Sequence, residues 1–370
     1  MTVSVRSPPR RLVWCFIGVV ILVGVALTFT SQRWSVEHFY ILDVFRRPSD
    51  SQFVHFSETN LLLAQPLTTN FGVMPKIIHQ SWMTDELPSK FEIWSRSCRE
   101  KNPDWEWVLW TDEDNLNLVK KYFPWFLKYY QALPAEIYRA DVVRNMYMYV
   151  YGGIYADLDT ECLRPADDLF ESFNITTVSY LSSLNMSYSS DANTKKAFFG
   201  RMGTDEDFVH SIPNAWMAAT PGHPFFLLPL ESVMNKMNGV IPGGSVPEFV
   251  TGPIGLRDDI NLYFNNYTDS DVLERRLLKS PMLDVFGPQF RMEHTVQVLP
   301  YWYVYPWSWA GDGAGFSNFC SVYSPEYDRE ACRRVLETDR LGSYFMTYWS
   351  HSWSAEGVDA DHMKNIDKDE

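Results

Sequence analysis

The sequence predicts an α/β fold, with a mostly parallel sheet flanked by helices on both faces and one membrane-spanning helix ahead of it. Three observations carry that expectation. Short apolar strands alternate with helical segments from Pro75 to Asp159. A long helical pattern ends at Gly152-Gly153, where a left-handed residue closes a helix, and a strand follows at once. An uncharged, mostly apolar run, Leu12 to Thr30, stands before all of this.

Taken in order, residues 1–11 read as a cytosolic tail, because Arg6, Arg10 and Arg11 precede the apolar run. As a helix, 12–30 would span roughly 28 Å, close to the hydrocarbon thickness. A cleaved signal peptide is the competing reading. The run is long for one, and Thr28-Phe29-Thr30-Ser31 makes a poor cleavage site. Either reading sends the rest of the chain into the secretory lumen. Residues 31–73 lack a sustained apolar period and read as a stem, 74–353 as the catalytic domain, and 354–370 as an acidic tail.

Within the domain, Lys76 to Gln80 is a strand after Pro75. A helix carrying Phe91, Trp94 and Cys98 follows Pro88. Trp105 to Trp110 is a second strand, and Thr111 or Asp112 caps the next helix. Pro124 interrupts a helical pattern that resumes through Tyr130, and Ala135 to Tyr151 is one long helix. In such sheets ligands gather at the carboxyl ends of the strands. His79, Gln80, Trp82, Trp110, Thr111, Asp157 and Asp159 all fall at or just past predicted strand ends.

Composition narrows the function. A formal net charge of −14 over 370 residues excludes a nucleic-acid partner, which wants a basic face. Aromatic residues make up 16%; core packing accounts for most of them, and flat rings with a polar edge also suit sugar clefts. Beyond Cys15 in the apolar run, Cys98, Cys162, Cys320 and Cys332 allow three pairings, with Cys320 and Cys332 near enough in sequence to close a small loop. Glycosylation sequons begin at Asn174, Asn185 and Asn266, in agreement with a lumen.

The chemistry is concentrated in Tyr151-Gly152-Gly153-Ile154-Tyr155-Ala156-Asp157-Leu158-Asp159. In an extended chain, residues two apart project from the same side, so both carboxylates can meet one ion. Such close like charges call for a cation or a retained proton. Hard oxygen ligands suit Mn²⁺ or Mg²⁺, which bind through one or two carboxylates and a substrate's phosphates. Asp141 and Arg144, three apart on the long helix, share a face that can fold over the same ligand. Arg144 would offer a planar fork to phosphate, with Asp141 on ribose hydroxyls or on the arginine itself. An ordinary surface ion pair is the plain alternative.

Together these motifs resemble the D-x-D glycosyltransferases of family 32, the group of fungal Golgi mannosyltransferases and mannosyl-inositol-phosphoceramide synthase catalytic subunits. The likeness runs from Met74-Pro75-Lys76-Ile77-Ile78-His79-Gln80-Ser81-Trp82 through Trp110-Thr111-Asp112 and Tyr138-Arg139-Ala140-Asp141-Val142-Val143-Arg144 to the D-x-D segment and Cys162-Leu163-Arg164-Pro165. It continues in Asn214 to Pro224, Thr251-Gly252-Pro253 and His351-Ser352-Trp353. The resemblance implies a Rossmann-like GT-A fold, a nucleotide-sugar donor with GDP-mannose favoured over UDP-sugars, a divalent cation (Mn²⁺ usually), and a retaining transfer. It also implies a single-pass type II protein of the Golgi membrane. Asp157 and Asp159 would hold metal and diphosphate. Asp141, Arg144 and Tyr155 would contact the donor, and His79, Gln80, Trp82, Trp110 and Thr111 would line its nucleotide pocket. His351 matches a late histidine that closes over the diphosphate, as metal ligand or as a structural residue. Asn214 and His223 would face the acceptor, with a helix-cap reading of Asn214 and a turn reading of His223-Pro224 left open.

No motif marks a carboxylate for double displacement, and Asp258 and Asp259 read as solvated helix residues. Same-face substitution is therefore expected. Lipid-modifying members of the family carry further hydrophobic segments after the catalytic domain; nothing after Trp353 resembles one, which favours a glycan over a ceramide-type acceptor. The stretch Tyr301 to Gly315 is either an acceptor loop or a core strand with a surface loop. Two rivals remain. A phosphatase of the haloacid-dehalogenase type wants Thr or Val two residues beyond the second Asp, and Asp159 is followed by Thr160-Glu161. A membrane-anchored sugar-binding scaffold would not need the intact quartet of Asp141, Arg144, Asp157 and Asp159.

Overall fold

A computed structural model describes residues 59–186, 194–240, 246–268, 270–277, 285–286, 293–352 and 361–369. All lie in the compact unit His55–Glu370. The expected membrane helix at 12–30, most of the stem, Trp353 and the start of the acidic tail fall outside the described residues. Among the described residues no helix is long and apolar enough to cross a membrane.

The centre is a six-stranded mixed sheet built from β1 (Ile77–Ser81), β2 (Glu106–Trp110), β3 (Gly153–Ala156), β5 (Thr194–Gly200), β6 (Trp216–Ala219) and β7 (Glu293–Leu299). Its order is β2-β1-β3-β6-β5-β7. Pairs β1–β2, β1–β3 and β5–β7 are parallel, whereas β6 runs antiparallel to both its neighbours. The expected mostly parallel sheet is therefore present with one reversed strand. That strand lies beyond the region whose alternation was legible. A short antiparallel pair stands apart, β4 (Thr160–Cys162) against β8 (Phe345–Thr347).

Alternate residues along each strand enter opposite cores, as a two-residue period demands. Ile77, Val108, Trp110, Tyr155 and Met217 pack on one face. Ile78, Trp107, Leu109, Ile154 and Trp216 pack on the other. The first face is covered by α3 (Glu136–Val150), where eleven side chains are buried, from Tyr138 to Val150. The second is covered by α1 (Ser89–Lys101), through Phe91, Trp94 and Cys98. Between them, α2 (Asp112–Tyr122) starts at Thr111 with a reciprocal cap: its hydroxyl accepts from the Asp114 amide while the Asp114 carboxylate takes the Thr111 amide.

The turn from α3 into β3 needs its two glycines. Gly152 and Gly153 have φ of +69° and +85°, and a Cβ at Gly153 would sit 2.5 Å from the Ile77 carbonyl oxygen. Two disulfides form, Cys98–Cys162 and Cys320–Cys332. The first ties α1 to β4, two elements that flank the D-x-D turn.

Candidate functional site

Ala156 is the last residue of β3, so Asp157-Leu158-Asp159 leaves the sheet at a strand's carboxyl end. Here the chain is held from several sides. The Asp157 amide donates to the Ala215 carbonyl at 2.8 Å, and Gln80 Nε2 donates to the Asp157 carbonyl at 3.3 Å. The Tyr348 amide donates to the Asp159 carbonyl at 3.0 Å, which fastens β8 to the same turn.

Asp157, Leu158 and Asp159 line a cavity of about 700 Å³, a volume suited to a small-molecule ligand. Its floor is a charged network. Arg144 reaches Asp141 at 3.1 Å and Asp157 at 3.4 Å, and donates to the Asn214 carbonyl at 2.8 Å. The guanidinium also lies 4.7 Å from the centre of the Tyr155 ring, whose hydroxyl donates to Asp157 Oδ1 at 2.5 Å. Asp141 accepts from Asn214 Nδ2 at 2.8 Å and from the Thr251 hydroxyl at 3.0 Å. Asp159 Oδ2 accepts the Ser350 amide at 2.6 Å. Trp349 and His351, on either side of Ser350, both take positive φ, of 53° and 49°. Side chains rarely tolerate that region, and here it accompanies the amide's placement on Asp159.

Three carboxylates thus face one guanidinium. Burial pushes Asp157 up to about 6, opposed by Arg144 and reinforced by Asp159. Burial likewise raises Asp141 to about 6 despite Arg144, and raises Asp159 against the pull of the Ser350 amide. Surplus negative charge on the wall of a cavity, presented by hard oxygens, suits a divalent cation that completes its shell with phosphate and water. Among the described residues no group of three or more His, Cys, Asp or Glu is gathered as a metal site, so His351 does not join Asp157 and Asp159 in a ready-made triad. His351 lines the cavity, and its Nδ1 lies 3.2 Å from the Tyr323 hydroxyl.

Of the other expected site residues, Trp82, Asp141, Arg144, Tyr155 and Asn214 line the cavity. Asn214 was expected on the acceptor side but belongs to the floor, because it bridges Asp141 and Arg144. Four expected donor contacts do not reach the cavity. His79, Gln80 and Trp110 are fully buried, and Thr111 is spent on its helix cap.

What the buried three do is structural support. His79 Nε2 lies 2.9 Å from the Gly152 carbonyl, and its Nδ1 accepts from Trp110 Nε1 at 3.0 Å. With both nitrogens so placed the ring is neutral, and burial lowers its pKa to about 3. It therefore pins the glycine turn that launches β3. Gln80 Oε1 accepts from Ser95 and Trp107, and its amide holds Asp157. His223 is also remote from the cavity. It is fully buried as the cap of a short 3₁₀ helix, Pro224–Leu227, where it accepts the Phe225 amide at 3.2 Å and lies 3.0 Å from the Thr295 carbonyl. Asp259, read as solvated, is buried with its Oδ1 taking the Ser232 hydroxyl at 2.5 Å.

At the mouth of the cavity Trp309 comes from the Tyr301–Gly315 stretch read as a candidate acceptor loop, whereas sequence reasoning missed His210 and Glu248, from two other segments. It also read Asp112 as no more than a cap candidate; its side chain lines the cavity, and burial and Glu136 raise it to about 6. Only the folded chain brings these positions together.

Comparison with known proteins agrees with this geometry. Residues 88–175 match the family profile described as a glycosyltransferase sugar-binding region containing a DXD motif. Inositol phosphoceramide mannosyltransferase 3 of Schizosaccharomyces pombe is 50% identical over 98 residues, covering 26% of this chain and 28% of that protein. Mannosyl phosphorylinositol ceramide synthase CSH1 of Saccharomyces cerevisiae is 30% identical over 185 residues, covering 48% and 42%. The matched part spans less than half the length of these relatives. Among solved structures, PaToxG glycosyltransferase aligns over 63% of this chain and 83% of its own at 18% identity, with a TM-score of 0.36. Asp141, Arg144, Asp157 and Asp159 all lie within residues 88–175, the segment that is similar to the glycosyltransferase sugar-binding region containing a DXD motif.

Proposed function

We propose that this chain is a metal-dependent glycosyltransferase of GT-A architecture. It moves a hexose, mannose from GDP-mannose, onto a glycan or an inositol-bearing glycolipid in the Golgi lumen. One observation carries the reading: two carboxylates at a strand end share a cavity floor with Arg144, inside the segment that matches the DXD family. The names of the similar yeast proteins, mannosyltransferases of inositol phosphoceramide, support mannose and a lipid-linked acceptor over the glycan that the C-terminal sequence favoured.

In this reading Asp157 and Asp159 would hold Mn²⁺ or Mg²⁺, and His351 lines the same cavity without being gathered with them. The ion supplies Lewis-acid neutralisation of the donor's diphosphate. Arg144 adds a planar, permanently charged fork to the same oxygens. Asp141, Asn214 and Thr251 keep that fork from swinging, and Tyr155 holds Asp157 in place. The bond from the anomeric carbon to the acceptor oxygen forms while the bond to the diphosphate oxygen breaks. The electron pair leaves with the nucleoside diphosphate, and the acceptor's proton passes to a phosphate oxygen on the same face, which retains the α-linkage.

The test is thermal melting of the purified luminal domain with Mn²⁺ and a panel of nucleotide sugars. GDP-mannose should stabilise by about 2.7 kcal/mol at a hundred times its Kd and should be slowly hydrolysed, with both effects lost in Asp159→Ala. Neither stabilisation nor hydrolysis with any nucleotide sugar would leave a scaffold.

A further inference from the structure

The mouth of the cavity differs in chemistry from its floor. Trp309 lines the opening yet remains 41% exposed. Phe208 and His210 each stand edge-on to its ring, with centroids 5.4 Å away and planes at 69°. The two are 5.6 Å from each other, so three rings brace one another. Glu248, on the short helix Pro247–Val250, lines the same opening, and its charge acts on both His210 and His351. The indole is thus fixed by its neighbours while much of it stays accessible from the cavity.

A braced flat ring beside a carboxylate and an imidazole matches a cyclic polyol. The C–H face of such a ligand stacks on the indole, while its hydroxyls donate to the carboxylate and exchange hydrogen bonds with the imidazole. It does not match a second phosphate, which Glu248 would repel. We propose that Trp309, His210 and Glu248 form the acceptor subsite, taking the ring of a hexose or of an inositol above the charged floor. This inference rests on reading the cavity as a transfer site. Hexose and inositol rings present the same chemistry, so the experiment has to separate a glycan source from a lipid headgroup.

Two arms test it. In the first, protein loaded with GDP and Mn²⁺ carries 5-fluorotryptophan, and the Trp309 resonance is assigned with Trp309→Phe. Methyl α-mannoside or myo-inositol at millimolar concentration should move that resonance, and the stronger probe names the source. If neither probe moves it, the proposal is overturned. In the second, transfer from GDP-mannose is measured against methyl α-mannoside and against inositol phosphoceramide in mixed micelles. Trp309→Ala should raise the acceptor KM about tenfold while the donor KM stays put, with Trp309→Phe in between. An unchanged acceptor KM, or an equal rise in both, overturns the subsite. Should the wild-type chain turn over no nucleotide sugar, the functional reading fails, and the fluorine arm still decides the platform.

Discussion

Two clusters of acid and arginine lie either side of one short stretch of chain: one lines the cavity, and the other joins a buried acid to two partly exposed arginines. Asp157 and Asp159 face the floor described above, with Arg144 as the single guanidinium for three carboxylates. Two residues on, Glu161 is 2% exposed and points into the protein. Its Oε1 accepts from Arg329 at 3.2 Å and Arg333 at 2.9 Å, and its Oε2 takes the Tyr348 hydroxyl at 2.6 Å. One cluster has more acid than base and a space in front of it. The other has its acid answered by two arginines. Acid–arginine pairing therefore does not mark a site; unanswered charge beside a cavity does.

The sharpest way to break this comparison is to truncate the closed cluster. Glu161→Ala removes an acceptor shared by two arginines and the buried Tyr348 hydroxyl, while both partly exposed arginines keep Glu330, so it should lose about 1–3 kcal/mol of stability in denaturant melts. Nucleotide binding by the folded fraction should persist, and a loss of binding at full stability would reverse the assignment. The open cluster should answer in the opposite sense. Asp157→Asn removes one of three crowded carboxylates, so stability should stay within about 1 kcal/mol. Mn²⁺-dependent GDP affinity, followed by calorimetry, should fall at least about a hundredfold, ~2.7 kcal/mol. A strong loss of stability with binding intact would make Asp157 structural, like Glu161.

A smaller effect separates both clusters from the buried histidines. His79 and His223 are fully buried, His79 with a pKa lowered to about 3 and His223 lowered well below its usual value, in each case by burial first. Unfolded histidine takes its proton near pH 6.5. Below that pH the unfolded chain binds more protons than the folded one, so these groups' contribution is complete above pH 6.5 and is lost on acidification. Each contributes a slope of up to ~1.4 kcal/mol per pH unit. Asp141 and Asp157, raised to about 6, work in the opposite direction between pH 4 and 6. The difference between wild type and His223→Asn isolates the histidine: the variant's stability should fall less steeply from pH 6.5 to 5. Parallel curves would mean that His223 takes up its proton in the fold as readily as in the unfolded chain.

Much of the first half was legible without a structure. The expected strands at Lys76–Gln80 and Trp105–Trp110 appear as Ile77–Ser81 and Glu106–Trp110, and the long helix over 135–151 as Glu136–Val150. Local signals wrote these: apolar runs of strand length, a Thr cap, and a double glycine. Strand β6, reversed against its neighbours, carries no such mark, because direction within a sheet comes from the path of the chain rather than from side-chain period. Among candidate site residues, those on the exposed side of a strand end or helix face reached the cavity. His79, Gln80 and Trp110 did not, since residues one apart on a strand go to opposite cores and both cores here are full.

By itself the sequence determined the strand–helix alternation, the glycine turn, and the spacing that sets Asp157 beside Asp159 and Asp141 beside Arg144. Those are matters of neighbouring residues and of fixed backbone periods. Tertiary structure alone decided which carboxylates meet space and which meet arginine, why a histidine became a turn's anchor, and how Trp309, His210 and Glu248 came to share one opening. Such outcomes depend on distance through the fold, and chain order does not contain it.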